Sequence, residues 1–116
     1  MKRRLIFIFG ILGHLFLVSC GSHLTSDEID GLKKDGIEKS KRGEHLVAIQ
    51  LLEQVSEYDV KDVQVYWHLA ESYEGVGEMK KAVETWQKLM FVVDPKSQEA
   101  KEAHERLLKV KNKENH

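Results

Sequence analysis

The sequence predicts an all-α domain, and three observations carry that expectation. The 116 residues include a single proline, Pro95. Apolar residues from Ile29 onward recur at intervals of three and four, the period of a helix with one buried face. Gly43-Glu44 returns 34 positions later as Gly77-Glu78, and Ala48/Ala82, Leu52/Trp86 and Val55/Leu89 are pairs at the same spacing. A helical hairpin used twice accounts for all three.

The elements follow in order. Thr25-Ser26-Asp27-Glu28 is a capping-box pattern, in which the Thr25 oxygen accepts a backbone N–H while Glu28 reaches back. The helix it starts runs to Arg42, with Ile29 and Leu32 on one face, and ends at Gly43. A second, from Glu44 to Glu57, is amphipathic through Leu51, Leu52 and Val55, and Tyr58 to Asp62 turns the chain. The third spans Val63 to Glu74, placing Tyr66, Leu69, Ala70 and Tyr73 at helical spacing before Gly75 and Gly77 break it. The fourth covers Glu78 to Val93, and Asp94-Pro95 stops it. The fifth, Lys96 to Lys111, offers Ala100, Ala103 and Leu107 for burial, and residues 112–116 are expected to fray. Met90 and Phe91 are expected to pack in the core over that fifth helix, the alternative being an exposed patch for a subunit.

A 34-residue helix–turn–helix period is the tetratricopeptide spacing. The second unit resembles that family at Tyr66, Leu69, Ala70, Tyr73, Gly77, Ala82, Trp86 and Leu89, its bulky, apolar, small, aromatic, glycine, alanine, aromatic and apolar positions. The first unit matches at Gly36, Gly43 and Ala48. It departs at Lys39, where an aromatic is expected, and at Val60, where the closing proline would stand. In the second unit, Met90-Phe91-Val92-Val93 holds one residue more than usual before Asp94-Pro95. The resemblance implies two hairpins over residues 29–95 and a C-terminal helix capping the exposed apolar end.

The N-terminus carries a different message. Lys2, Arg3 and Arg4 precede an apolar run from Leu5 to Val18, the layout of a secretory signal. The run is shorter than the roughly 17–25 residues that span a bilayer. It closes on Leu17-Val18-Ser19-Cys20, with the sole cysteine of the chain. These four residues resemble the lipobox of bacterial lipoproteins. That resemblance implies cleavage between Ser19 and Cys20 and a diacylglyceryl group on the Cys20 sulfur. The alternatives are a free thiol after an ordinary signal, an uncleaved anchor, or a buried helix. Leu17 sits badly at an ordinary cleavage site, and three leading cations do not suit a buried helix. A lone cysteine forms no intramolecular disulfide.

Charge narrows the partners. Removing residues 1–19 takes three of the 18 Lys+Arg, leaving 15 against 19 Asp+Glu, a formal charge of −4 on 97 residues. An acidic chain without a basic stripe is a poor nucleic-acid binder, and no anionic membrane would hold it by charge. The lipid would do the anchoring, which takes more than one acyl chain to be stable. The expected layout is a signal at 1–19, a lipidated tether at 20–25 and a helical domain at 26–111.

No residue pattern suggests catalysis or metal binding. His45, His68 and His104 are far apart without paired spacing, and Gly75-Val76-Gly77 follows a helix, not a strand. The expectation is a non-enzymatic chain without a cofactor other than the Cys20 lipid. In the tetratricopeptide family the first helices of successive units line a groove for a peptide. Carried over, Lys33, Ile37, Ser40 and Lys41 of the first unit and Gln64, Trp67, His68 and Glu71 of the second would face a partner. Trp67 stands beside core-forming Tyr66, and adjacent helical residues point about 100° apart. It is therefore either a binding anchor or a residue packed on the flank of the first helix.

These readings converge on a lipid-anchored adaptor of the bacterial envelope that holds a segment of another envelope protein. Gly21 after the cysteine, in place of the aspartate of inner-membrane retention, implies the outer membrane facing the periplasm, with the cell surface as a second location. The alternative is a structural, self-associating lipoprotein whose groove receives another copy.

Overall fold

The computed structural model describes residues 23–116. The expected signal, the Ser19–Cys20 cleavage position and the lipidation at Cys20 lie outside the described residues. Five helices follow: α1 Ser26–Lys41, α2 His45–Tyr58, α3 Val63–Gly75, α4 Met79–Val92 and α5 Gln98–Glu114. Among the described residues there is no strand. Each helix packs on the next, and α1 also packs on α3. The result is an all-α array of two hairpins plus a terminal helix, consistent with the tetratricopeptide-like class.

Local chemistry sets the helix ends. The Thr25 capping box is complete: Glu28 N donates to Thr25 Oγ1 at 3.3 Å, and Thr25 N donates to Glu28 Oε2 at 2.7 Å. Those bonds hold the Glu28 carboxyl below its usual range. Asp62 caps α3 by accepting from Val65 N, and Ser97 caps α5 by accepting from Ala100 N. α2 and α4 have no side-chain cap. They leave glycine turns instead, with Gly43 at φ +78° and Gly77 at φ +80°, a conformation that costs a residue with a β-carbon about 1–2 kcal/mol.

The two turns close with the same bonds. Gly43 N donates to Ser40 O and Glu44 N to Lys39 O; Gly77 N donates to Glu74 O and Glu78 N to Tyr73 O. Every partner recurs 34 residues on, so the spacing seen among side chains is also a spacing of the backbone.

The core runs through both hairpins: Ala48, Leu52 and Val55 from α2, Val65, Tyr66, Leu69, Ala70 and Tyr73 from α3, and Ala82, Trp86 and Leu89 from α4. Gly36 sets the α1–α2 distance, since a β-carbon there would lie 2.7 Å from Leu52 Cδ2. In the second hairpin, fully buried Ala70 and Ala82 occupy the corresponding crossing. At the top of the array the His45 ring lies against Gly75, where a β-carbon would collide with it.

Two expectations at the C-terminal side are corrected. α5 continues to Glu114, so residues 112–114 are helical, and Val110 joins Ala100, Ala103 and Leu107 in the core. Phe91 does not pack in the core; it is 89% exposed, while Met90 lies at the core's edge. Phe91 follows buried Leu89 by two positions, about 200° around the helix, which turns it to solvent.

Candidate partner-binding surface

α1 and the start of α3 enclose a depression of ≈ 440 Å³. Lys33, Ile37, Lys41 and Gln64, four of the expected groove residues, line it together with Asp30, Lys34 and Glu38. Ile37 also touches the core, so its exposed edge gives the depression an apolar floor. Lys33 is engaged by Asp62 at 2.5 Å, and Glu38 by Arg42. Asp62 therefore serves twice, capping α3 and tying it to α1. Among the described residues neither Lys34 nor Lys41 is in an ion pair. The depression thus offers two ammonium groups, the Asp30 carboxylate at its edge, an amide and an apolar floor.

Ser40 is not on this surface. It is 6% exposed and lies between α1 and α3, accepting from Ser72 Oγ at 3.0 Å and donating to the His68 carbonyl at 3.2 Å. Its position on α1 was right, but the close approach of α3 covers it.

Trp67 is not a free anchor either. Its ring is partly buried and stands edge-on to Trp86, with centroids 5.0 Å apart and planes at 88°, a geometry that satisfies both ring quadrupoles.

His68 and Glu71 belong to a polar cluster shared with α5. Arg106 Nη2 lies 3.3 Å from Glu74 Oε1 and 3.8 Å from Glu71 Oε1, and its guanidinium is 5.6 Å from the Trp86 ring centroid. Trp86 Nε1 donates to the same Glu74 oxygen at 2.8 Å. Glu71 Oε2 is 3.4 Å from His68 Nδ1, ion-pair range for a protonated imidazole. His68 Nδ1 and His45 Nδ1 are buried nitrogens without a closer polar partner among the described residues. The Glu71 carboxyl is held below its usual range, chiefly by His68 and further by Arg106, with burial opposing.

The expected groove is therefore split. Its first half is an open depression; its second half is partly spent holding α5. Asp62, Glu74 and Arg106 were absent from the sequence-based set. Arg106 had a signal: it sits three residues after Ala103 and beside Leu107, on the rim of the buried stripe of α5.

A second depression of ≈ 620 Å³ lies among α2, α3 and α4, above Tyr66 and Tyr73. Some of its polar groups serve one another. The Tyr73 hydroxyl donates to Glu53, and Lys81 Nζ is 5.6 Å from the Tyr73 ring centroid. Burial, then Glu53, push the Tyr73 hydroxyl up from its ordinary value. Among the described residues no three His, Cys, Asp or Glu side chains are grouped to hold a metal ion, and no helix is long and apolar enough to cross a membrane.

No protein-family model, curated protein or solved structure matches the chain.

Proposed function

We propose that this chain is a lipid-anchored lipoprotein of the bacterial envelope whose helical-hairpin domain is a non-enzymatic adaptor. It holds an extended or helical segment of a partner protein against α1. The observation that carries the reading is the depression beside α1, where Ile37 is flanked by Lys34 and Lys41, neither of them in an ion pair among the described residues. Apolar contact with a pair of free ammonium groups suits a segment that alternates acidic and apolar residues. Cys20 supplies the anchor on this reading.

Two experiments test the two halves. A photo-crosslinker at position 37, placed in the full chain in its native envelope, is expected to trap a discrete heterologous partner. The Lys34→Glu/Lys41→Glu double variant should lower that yield at least fivefold. Unchanged yield, or crosslinks only between copies of this chain, counts against the adaptor, and the second outcome supports self-association. For the anchor, metabolic fatty-acid labelling should appear in the native chain and vanish in Cys20→Ser. Equal labelling would remove it.

A further inference from the structure

The turns that join the hairpins lie at the end of the array where α1 begins. α1 starts there at Ser26, α2 ends there at Tyr58, and α4 ends there at Val92, because successive helices run antiparallel. The Lys33–Asp62 contact ties the 59–62 turn to the first half of α1, and Val60 shares a depression with Lys88, one turn before Phe91. Three of the large apolar side chains left in solvent gather at this end: Phe91 at 89%, Val60 at 59% and Tyr58 at 47% exposure. Both turns are stiffened alike, since Asp59 Oδ1 accepts from Lys61 N and Asp94 Oδ1 accepts from Lys96 N. Val60 thus sits on a short, braced turn, and Tyr58 and Phe91 sit on the helix ends that lead into the two turns.

On the lipid-anchor reading above, Cys20 sits at the membrane surface. Six residue steps separate it from Ser26, a reach of at most about 20 Å when extended. The tether thus keeps this end of the domain, and not the Gly43/Gly77 end, close to the bilayer. Aromatic and branched apolar side chains at such a distance gain by entering the headgroup region, where an amphipathic tyrosine is well placed. Charge decides which lipid. Asp27, Glu28, Glu57, Asp59, Asp94 and Glu99 are exposed at this end against Lys61, Lys88 and Lys96, so an anionic surface would repel it.

We infer that Phe91, Val60 and Tyr58 form a membrane-contact surface that seats the tether end of the domain on zwitterionic lipid. The depression beside α1 then faces sideways, along the membrane, at a fixed height. This inference rests on the lipid anchor but not on the partner site.

The test uses the full, lipidated chain reconstituted in phosphatidylcholine vesicles. A bimane label is attached at Val60→Cys or, at the opposite end, at Leu46→Cys, where the native leucine is 70% exposed. Lipid carrying a headgroup-region spin label is expected to quench the Val60 position at least threefold more than the Leu46 position. Adding Phe91→Asp should reduce that difference by half or more, and replacing a third of the lipid with phosphatidylglycerol should not increase it. Equal quenching in a chain that floats with the vesicles overturns the contact surface and leaves the anchor standing. A Val60 label shielded from aqueous iodide but not quenched from lipid assigns this end to a protein partner and also overturns it. A chain that does not float with the vesicles overturns the anchor, and the contact surface with it.

Discussion

The two hairpins share a backbone plan but fill it differently. The second is built on large rings: Tyr66, Tyr73 and Trp86, with Trp86 fully buried. At the positions 34 residues earlier the first has Leu32, Lys39 and Leu52. In the first hairpin the missing β-carbon of Gly36 is what lets Leu52 in. One period thus yields two packing solutions, rings with alanines in one hairpin and aliphatics with a glycine in the other. Where helices meet through rings, edges and N–H groups remain for polar partners, and α5 is attached there through Arg106, Glu74 and the Trp86 indole.

The comparison is most exposed to truncation of its two central side chains. Trp86→Ala should cost about 3–5 kcal/mol and Leu52→Ala about 2–5 kcal/mol, read from urea unfolding of the domain. Trp86→Ala should be the more damaging, because it also frees Glu74 and Arg106. A larger loss at Leu52 would mean that the first hairpin, not the second, carries the fold.

The glycine argument gives an opposed pair. Gly36→Ala should destabilise by about 1–3 kcal/mol, since overpacking at buried Leu52 outweighs the gain in helix propensity. Gly31→Ala, on the exposed side of the same helix with nothing within 4 Å of the new carbon, should stabilise by up to about 1 kcal/mol. If both stabilise, the close approach at Gly36 is not a constraint.

The turns test the shared part of the plan. Gly43→Ala and Gly77→Ala should each cost about 1–2 kcal/mol and differ little, because both residues adopt the same positive φ. A large difference would show that the turns bear unequal load.

The smallest effect is electrostatic. Glu71 has a folded-state carboxyl held below its ordinary value of 4.5. A carboxyl lowered on folding stabilises above its unfolded value, and that contribution is lost as pH falls through the folded one. Acid unfolding should therefore steepen below pH 4.5, and Glu71→Gln should flatten that limb while leaving the first hairpin's response unchanged. Glu71 is part-exposed, so solvent screening keeps the effect small.

Most of the fold was legible because helices announce themselves by spacing. Thr25 with Glu28, Gly43 with Gly77, and the 69-70-73 and 82-86-89 stripes placed the helix boundaries within a few residues. Phe91 misled because a large apolar side chain in a lengthened segment reads as core, although its angular distance from Leu89 already put it outside. The surface was harder to read. Lys33, Ile37, Lys41 and Gln64 meet as expected, since helix phase alone places them. Ser40 is buried, Trp67 packs on Trp86, and His68 and Glu71 join a cluster with Arg106, because their surroundings depend on what α3 and α5 bring against them. That is a matter of tertiary approach, which spacing along one helix does not encode. Besides Arg106, Ser72 offered a missed clue: a polar residue inside the stripe of Leu69, Ala70 and Tyr73 needs a buried partner.

That partner has a consequence for how α1 is seated. The hydroxyl chain from Ser72 through Ser40 to the His68 carbonyl closes in one alignment of α1 against α3. A slip of one turn, about 5.4 Å along the axis, would be tolerated by greasy neighbours such as Leu32 and Ile37. It would strip two buried hydroxyls of their shared bonds, a penalty of order 1–3 kcal/mol. The serine pair is a vernier: it adds little adhesion but selects the notch, and with it the lateral offset at which Lys34 and Lys41 stand opposite Gln64.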